Sequence, residues 1–255
     1  MKFINKLNRL FKRKGTMNPP DNIVNINSGD SLIIGNAFLK HFVELGGLKR
    51  NDDVLDVGSG YGRMAIPLTD YLESNSRYEG IEIIPRAVDW CVNNITPKYA
   101  NFNFTRINVK NGRYNPSGTI NAHEYKFPFE DESFDFVFLT SVFTHMLPKD
   151  LENYMAEISR VLRKGGISFI TYFILNNDST PLIDSGNSTY HLKFTYEGCR
   201  IEKLEDPEYA IAYEEDYISS LNSKFNLKIQ STFYGNWCGR DKSTDFQDIV
   251  VAEKL

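Results

Sequence analysis

The chain has 255 residues, 41% of them hydrophobic and 24% charged, which is typical of a folded protein with one substantial core. Its net charge is −4, but residues 1–14 carry six lysines or arginines and no acidic residue, so the rest of the chain carries −10. A body this acidic argues against a nucleic acid as partner. The three cysteines have no paired spacing and no secretory signal is evident, so we expect a cytoplasmic protein.

Residues 1–20 form a basic arm that we separate from a domain over 21–255. Apolar residues recur at helical spacing between the cations of the arm: Phe3, Ile4, Leu7, Leu10 and Phe11. This pattern suits a helix lying on an anionic membrane surface, which would place the protein peripherally at the inner face of a membrane. It equally suits a frayed tail or a helix packed on the body. Pro19 and Pro20 mark the boundary.

Hydrophobic periodicity then alternates between strand-like and helix-like segments. The predicted strands are 53–57, 77–83, 102–109, 134–140, 167–174, 227–235 and 248–255. The predicted helices are 31–47, 64–74, 85–95, 148–166 with its end at Gly165 and Gly166, and a helix around 209–225. This alternation predicts an α/β fold with a mostly parallel sheet and helices on both faces.

The first strand runs into the turn DVGSGYG (56–62), in which an acid precedes three alternating glycines. A dinucleotide-binding turn, G-x-G-x-x-G, would need glycine at the position of Arg63. Glycines here let backbone approach a ligand without an intervening Cβ, and the following helix start favours an anionic group. A carboxylate with a cationic amine, as in the methionine part of S-adenosylmethionine, would suit this turn. Asp56 would act on the amine directly or through water.

Three further segments continue the pattern: GIEI (80–83), FPFEDESFDFVFL (127–139) and LRKGGISFITYF (162–173). With the glycine turn, they resemble the class I S-adenosylmethionine-dependent methyltransferases of the small-molecule type, over about residues 30–255. The resemblance implies a Rossmann-like seven-stranded sheet with an antiparallel last strand, and S-adenosylmethionine as cofactor. It implies that Glu82 binds the ribose hydroxyls and that Asn108 lies near the adenine. The cofactor-binding residues it implies are Asp56, Gly58, Ser59, Gly60, Gly62, Glu82, Ile83, Asn108 and Thr140.

Methyl transfer from a sulfonium is an in-line displacement, so the enzyme must hold the acceptor atom close to the methyl group in a water-poor pocket. A hydroxyl or protonated amine also needs a base. His145, just after the fourth strand in TSVFTHM (140–146), is the predicted catalytic base, or alternatively a helix-start histidine bonded to backbone. Thr140 and Ser141 either line the methyl pocket or cap the next helix. Acidic residues and histidines are scattered, so no metal site is predicted.

Acceptor recognition is expected from two insertions, about 109–126 and 176–210, which would form part of the acceptor site or a lid. The predicted acceptor contacts are Tyr190, His191, Tyr213 and Trp237, although a satellite core or edge-strand packing would use the same side chains. The predicted function is methyl transfer from S-adenosylmethionine to oxygen or nitrogen of a small-molecule or glycan-type acceptor. The alternative is a non-catalytic cofactor- or nucleotide-binding module with the same fold.

Overall fold

The computed structural model describes Met17 and residues 31–255, so the predicted membrane contact of the arm 1–20 falls, apart from Met17, outside the described residues. The helices are α1 (Ser31–Glu44), α2 (Ala65–Tyr71), α3 (Pro85–Asn94), α4 (Pro148–Val161), α5 (Ser179–Asp184) and α6 (Glu215–Lys224). The strands are β1 (Val54–Val57), β2 (Tyr78–Glu82), β3 (Phe102–Arg106), β4 (Phe134–Leu139), β5 (Leu162–Tyr172), β6 (Ile174–Leu175), β7 (Phe194–Tyr196), β8 (Cys199–Ile201), β9 (Ile211–Glu214), β10 (Leu227–Phe233) and β11 (Asp248–Lys254). Within these residues, no helix has both the length and the apolar character needed to span a bilayer.

Seven strands form the central sheet in the order β10-β11-β5-β4-β1-β2-β3. Neighbouring strands from β5 to β3 pair in parallel, whereas β11 is antiparallel to both β5 and β10. This confirms the predicted Rossmann-like sheet with its antiparallel last strand. Alternation along β1 separates two cores, because Leu55 and Val57 pack with α4 on one face, while Val54 packs with Phe42 of α1 on the other.

Strand β5 begins earlier than predicted. The sequence predicts that the preceding helix continues to Gly165, but α4 ends at Val161 and β5 starts at Leu162. Gly165 has a φ of 78°, and the register between β4 and β5 shifts between Phe134 and Phe136. The glycine pair therefore forms a bulged start of a strand, because a positive φ interrupts a strand ladder as readily as it ends a helix.

A second sheet has the order β6-β9-β8-β7; β7 and β8 lie within the predicted insertion 176–210, and β6 and β9 flank it. The segment Ile211–Glu214, predicted as helix, forms β9 instead. Its side chains alternate, since Ile211 and Tyr213 pack in the main core and Ala212 packs in a third cluster with Trp237. This period of two is that of a strand with both faces buried. The insertion is therefore ordered, and its buried residues pack partly in the main core and partly in the third cluster.

Candidate functional site

A cavity of about 220 Å³ lies at the carboxyl ends of β1, β2 and β4, the edge at which open parallel sheets bind ligands. The predicted residues that line it are Gly58, Ser59, Gly60, Glu82, Ile83, Thr140 and His145. The predicted cofactor contacts that do not line it are Asp56, Gly62 and Asn108. The fold thus brings together the glycine turn, the end of the second strand and the predicted base.

The glycines of the turn differ in what they contact. All three have positive φ, which costs a residue with a Cβ roughly 1–2 kcal/mol. A Cβ on Gly58 would lie 2.5 Å from Cγ2 of Val142, and a Cβ on Gly62 would lie 2.6 Å from Cδ1 of Ile95. A Cβ on Gly60 would meet nothing within 4 Å. Packing therefore requires Gly58 and Gly62, whereas Gly60 leaves open space beside the cavity for a ligand.

Glu82 ties the end of β2 to the glycine turn. Its Oε2 accepts a hydrogen bond from the Gly60 N–H at 2.7 Å, and its Oε1 accepts from the N–H groups of Ile83 at 2.7 Å and Ile84 at 2.9 Å. Burial raises the pKa of Glu82, while these three N–H groups lower it. A carboxylate has about four lone-pair sites, so Glu82 keeps capacity to accept a hydrogen bond from a ligand hydroxyl.

Asp56 lies behind the turn rather than in the cavity. Its Oδ2 accepts a hydrogen bond from the Tyr78 hydroxyl at 2.5 Å, and its Oδ1 is buried without a partner among the described residues. Burial raises the pKa of Asp56 to about 7, against the lowering effects of Tyr78 and Arg63. Alternation along β1 turns this side chain to the face shared by Val54. Asp56 therefore does not line the cavity, and its influence on the cofactor's amine, directly or through water, stays a prediction.

Asn108 also faces away from the cavity. Its Nδ2 donates to Oγ1 of Thr119 at 2.9 Å, so the amide supports the loop that follows β3. Its neighbours Ile107 and Val109 line the cavity instead. Successive side chains of an extended chain alternate in direction, so these two apolar residues share the side opposite to Asn108. Asn108 thus does not line the cavity, and its contact with adenine stays a prediction.

The chain after β4 lines the cavity and is held in an unusual conformation. Ser141 has a φ of 59°, which is uncommon for a residue other than glycine. Its N–H donates to Oγ1 of Thr171 at 2.8 Å, and its hydroxyl donates to Oε1 of Gln247 at 3.0 Å. The next helical turn has no side-chain cap, so Thr140 and Ser141 follow the predicted lining alternative. Contacts from β5 and the start of β11 therefore fix the backbone at the cavity wall.

His145 is held by backbone and lines the cavity at the same time. Its Nδ1 lies 2.9 Å from the carbonyl oxygen of Glu208, and its ring meets Tyr114 edge-on with centroids 5.6 Å apart. A carbonyl oxygen only accepts, so Nδ1 carries the proton and Nε2 holds the lone pair. Burial lowers the pKa of His145, which favours the neutral ring near pH 7. Both predicted alternatives, a cavity residue and a histidine bonded to backbone, describe part of this geometry.

Both predicted insertions contribute to the cavity wall. The first insertion supplies Lys110, Asn111, Tyr114 and Ala122. The second supplies Glu208, whose Oε2 accepts a hydrogen bond from the Gly112 N–H at 2.5 Å. The two insertions are thus joined beside His145, at the part of the cavity that the glycine turn does not form.

The four predicted acceptor contacts do not line the cavity. Tyr213 is buried, and its hydroxyl donates to a backbone carbonyl of the main core. Trp237 is also buried, and its Nε1 donates to Oδ2 of Asp248 at 2.6 Å. Tyr190 packs at the edge of the third cluster, and His191 is exposed outside the cavity. Tyr213, Trp237 and Tyr190 are corrected to core-packing positions, because their faces are covered by other side chains.

Several polar cavity residues escaped the sequence reasoning: Arg63, Tyr114, Asp150, Tyr154 and Glu208. Arg63 could have been found, since it directly follows the glycine turn. Asp150 lies in the first turn of α4, after the fourth strand, and its Oδ1 lies 3.1 Å from Nδ1 of His123. Glu208 lies far from the motifs along the chain, and no local pattern marks it.

The polar atoms of the cavity fit S-adenosylmethionine. Ser59 and Tyr61 are cavity-lining residues, and their hydroxyl groups are buried without hydrogen-bond partners in the part of the chain that the structure describes. Leaving such groups unsatisfied costs about 1–3 kcal/mol each, which a polar ligand or water would relieve. Glu82 offers a carboxylate to ribose hydroxyls, Gly60 exposes backbone, and Ile83 and Ile107 offer apolar surface to a base.

Comparisons with known proteins agree with this geometry. A family model described as a methyltransferase domain matches residues 55–170, from β1 into β5. The sterol 4-C-methyltransferase strm-1 of Caenorhabditis elegans is 27% identical over 198 residues, which are 77% of this chain and 52% of that protein. The chain thus spans about half the length of this curated relative.

Solved structures share the fold. A SAM-dependent methyltransferase from Methanosarcina mazei has a TM-score of 0.55 at 20% identity, covering 82% of this chain and 94% of that chain. The 1,6-didemethyltoxoflavin-N1-methyltransferase of Burkholderia thailandensis, solved with 1,6-didemethyltoxoflavin and S-adenosylhomocysteine bound, has a TM-score of 0.54 at 16% identity, covering 88% and 78%. The match to the methyltransferase-domain model covers residues 55–170, and the sheet order is that of the Rossmann-like fold that these solved methyltransferase structures share.

Proposed function

We propose that the protein transfers a methyl group from S-adenosylmethionine to oxygen or nitrogen of a small-molecule acceptor, with His145 as the base. One observation carries this proposal: His145 lines the same cavity as Gly60 and Glu82, with Nδ1 held by the Glu208 carbonyl. The nitrogen left to an acceptor is then Nε2, which in the neutral ring can take a proton.

Each part of the cavity has a separate task in this reaction. When bound, S-adenosylmethionine supplies an electrophilic methyl carbon, which the acceptor's lone pair attacks as the carbon–sulfur bond breaks. Glu82 and the glycine turn hold the donor in place. Nε2 of His145 takes the proton from the acceptor, and the Nδ1–H bond to the Glu208 carbonyl stabilises the resulting imidazolium. Val142 and Met146 give this region apolar walls that limit water.

Two relatives support a small molecule as acceptor class. One is named as a sterol methyltransferase and another as a methyltransferase of a toxoflavin precursor. The two insertions add aromatic and polar side chains beside His145, among them Tyr114, Asn111 and Glu208. We therefore place the acceptor between these insertions, and a glycan-type hydroxyl is the second class to test.

Turnover tests the proposal. The full chain is incubated with S-adenosylmethionine and a panel of hydroxyl, amine and glycan acceptors, and formation of S-adenosylhomocysteine and of a methylated product is followed by mass spectrometry. We expect His145→Gln to bind S-adenosylmethionine normally and to lose about 10²–10⁴-fold in turnover, as for a general base. Cofactor binding without turnover on any acceptor would favour the non-catalytic alternative. Unchanged turnover in His145→Gln would remove His145 from the mechanism.

A further inference from the structure

Arg63 is a cavity-lining residue whose guanidinium has no hydrogen-bond or ion-pair partner among the described residues. Arg63 directly follows the glycine turn and lines the cavity. Among the described residues it donates no hydrogen bond, and no carboxylate oxygen lies within 4.0 Å of its nitrogens. An arginine has five N–H donors and a permanent charge, and holding that charge partly away from water without partners is costly. Such a group is available to a ligand.

The two carboxylates that raise the pKa of Arg63 are hydrogen-bonded to other residues. Burial lowers the pKa of Arg63, while Asp56 and Asp245 raise it. Asp56 accepts its hydrogen bond from Tyr78, and Oδ2 of Asp245 lies 3.0 Å from Nε2 of His41. Both acids therefore favour the charged form of Arg63 without accepting hydrogen bonds from it. The N–H groups of the guanidinium stay available to a ligand.

The charge distribution of the cavity matches the cofactor. Glu82 presents a buried carboxylate on one side of the glycine turn, which suits hydroxyls and repels anions. Lys110, the lysine that lines the cavity, is exposed on the first insertion, so the half-buried Arg63 supplies the cation beside the turn. The helix that follows the turn has seven residues and no side-chain cap, so it offers little independent anchoring for an anion.

We propose that Arg63 binds the α-carboxylate of the methionine part of S-adenosylmethionine through a two-bond, fork-like contact. A carboxylate matches the planar fork of a guanidinium, and this carboxylate is the anionic group of the cofactor. The inference rests on cofactor binding in the cavity and is independent of the acceptor. Arg63 is thus a positioning residue that sets the methionine end, and with it the direction of the methyl group.

Two ligands separate this role from general cofactor binding. S-adenosylhomocysteine contains the carboxylate, whereas 5′-deoxy-5′-methylthioadenosine keeps the adenosine and thioether but lacks the amino acid part. Calorimetry on the full chain gives the dissociation constant of each. In Arg63→Met we expect the affinity for S-adenosylhomocysteine to fall about tenfold to a hundredfold, as for a lost hydrogen bond to a charged group, with the methylthioadenosine affinity unchanged. Arg63→Lys keeps the charge but lacks the planar pair of N–H donors, so its affinity for S-adenosylhomocysteine should lie between those of the wild type and Arg63→Met.

Arg50→Met is the matched control, because Arg50 is exposed at the opposite end of β1 and should leave both affinities unchanged. Melting of the ligand-free protein gives a second readout, since a guanidinium without partners predicts no loss of Tm in Arg63→Met. Equal weakening of both ligands, unchanged S-adenosylhomocysteine affinity, or a lower ligand-free Tm would overturn the proposal. If the wild-type chain binds neither ligand, the cofactor site itself fails, and that result is distinct from a failure of Arg63 alone.

Discussion

Replacing Glu82 by glutamine tests the cofactor site with the least change in shape. In the wild-type chain, Oε1 accepts from Ile83 and Ile84, while Oε2 accepts from Gly60. The amide oxygen of glutamine can serve the first pair of donors, but its NH2 group then faces the Gly60 N–H, donor against donor. The variant therefore loses the contact that joins β2 to the glycine turn.

Glu82→Gln is expected to lower both the free energy of unfolding and the cofactor affinity by moderate amounts. A hydrogen bond to a charged group contributes about 1.5–3 kcal/mol, but burial raises the pKa of Glu82, so removing its charge recovers part of that value. We expect a decrease of about 1.5 kcal/mol in the free energy of unfolding, at the low end of that range. Glu82→Ala would leave three buried donors unsatisfied at about 1–3 kcal/mol each, a large share of a typical stability of about 5–15 kcal/mol. Glutamine is therefore the more informative change.

Two measurements check this prediction. Urea unfolding gives the stability change, and calorimetry should show S-adenosylmethionine affinity at least about tenfold weaker, because the ribose hydroxyls lose a charged acceptor. Glu79→Gln is the matched control on the same strand, since Glu79 accepts from Asn103 at 3.2 Å and does not line the cavity. Unchanged affinity in Glu82→Gln, or an equal loss in Glu79→Gln, would refute the reasoning.

Three further variants probe separate parts of the account. Gly60→Ala should lose cofactor binding and should lower the free energy of unfolding by roughly 1–2 kcal/mol, because the residue has a positive φ. Gly62→Ala should lose more stability, because its Cβ would also overlap buried side chains. The reverse order of stability in thermal melts would contradict the turn geometry. The rate of methyl transfer should be constant above neutral pH and should fall at lower pH with a midpoint under 6.5, because burial lowers the pKa of His145 and only its neutral form accepts a proton. If the decrease at low pH persists in His145→Gln, another group is responsible for it. Trp237→Phe should reduce the free energy of unfolding by about 1.5–3 kcal/mol through loss of the bond to Asp248 and leave cofactor affinity unchanged, so weaker binding in calorimetry would return this side chain to the site.

The side of the cavity formed by the glycine turn and Glu82 was predictable, because local spacing encodes it. The strand, the alternating glycines and Glu82 lie in short segments whose geometry follows from backbone rules. The predicted third strand, 102–109, ends at Arg106 in the structure, and in the following segment Ile107 and Val109 line the cavity while Asn108 does not. A shift of one residue in an extended chain reverses the side that a side chain faces.

The acceptor half was not predictable from local pattern. Tyr213 and Trp237 look like ligand contacts in sequence, but strands distant along the chain cover them. Glu208 reaches the cavity only because the second insertion folds back onto the first, where it meets the Gly112 N–H. Such contacts depend on tertiary packing between segments far apart in sequence, which hydrophobic periodicity does not report.

Calorimetric titration of the chain with S-adenosylmethionine, and separately with NADH, tests the central claim most directly. We expect one binding site for S-adenosylmethionine, much weaker binding in Glu82→Gln, and no binding of NADH, because Arg63 replaces the third glycine of a dinucleotide turn. Absence of S-adenosylmethionine binding, or equal binding of NADH, would contradict the assignment of the cavity.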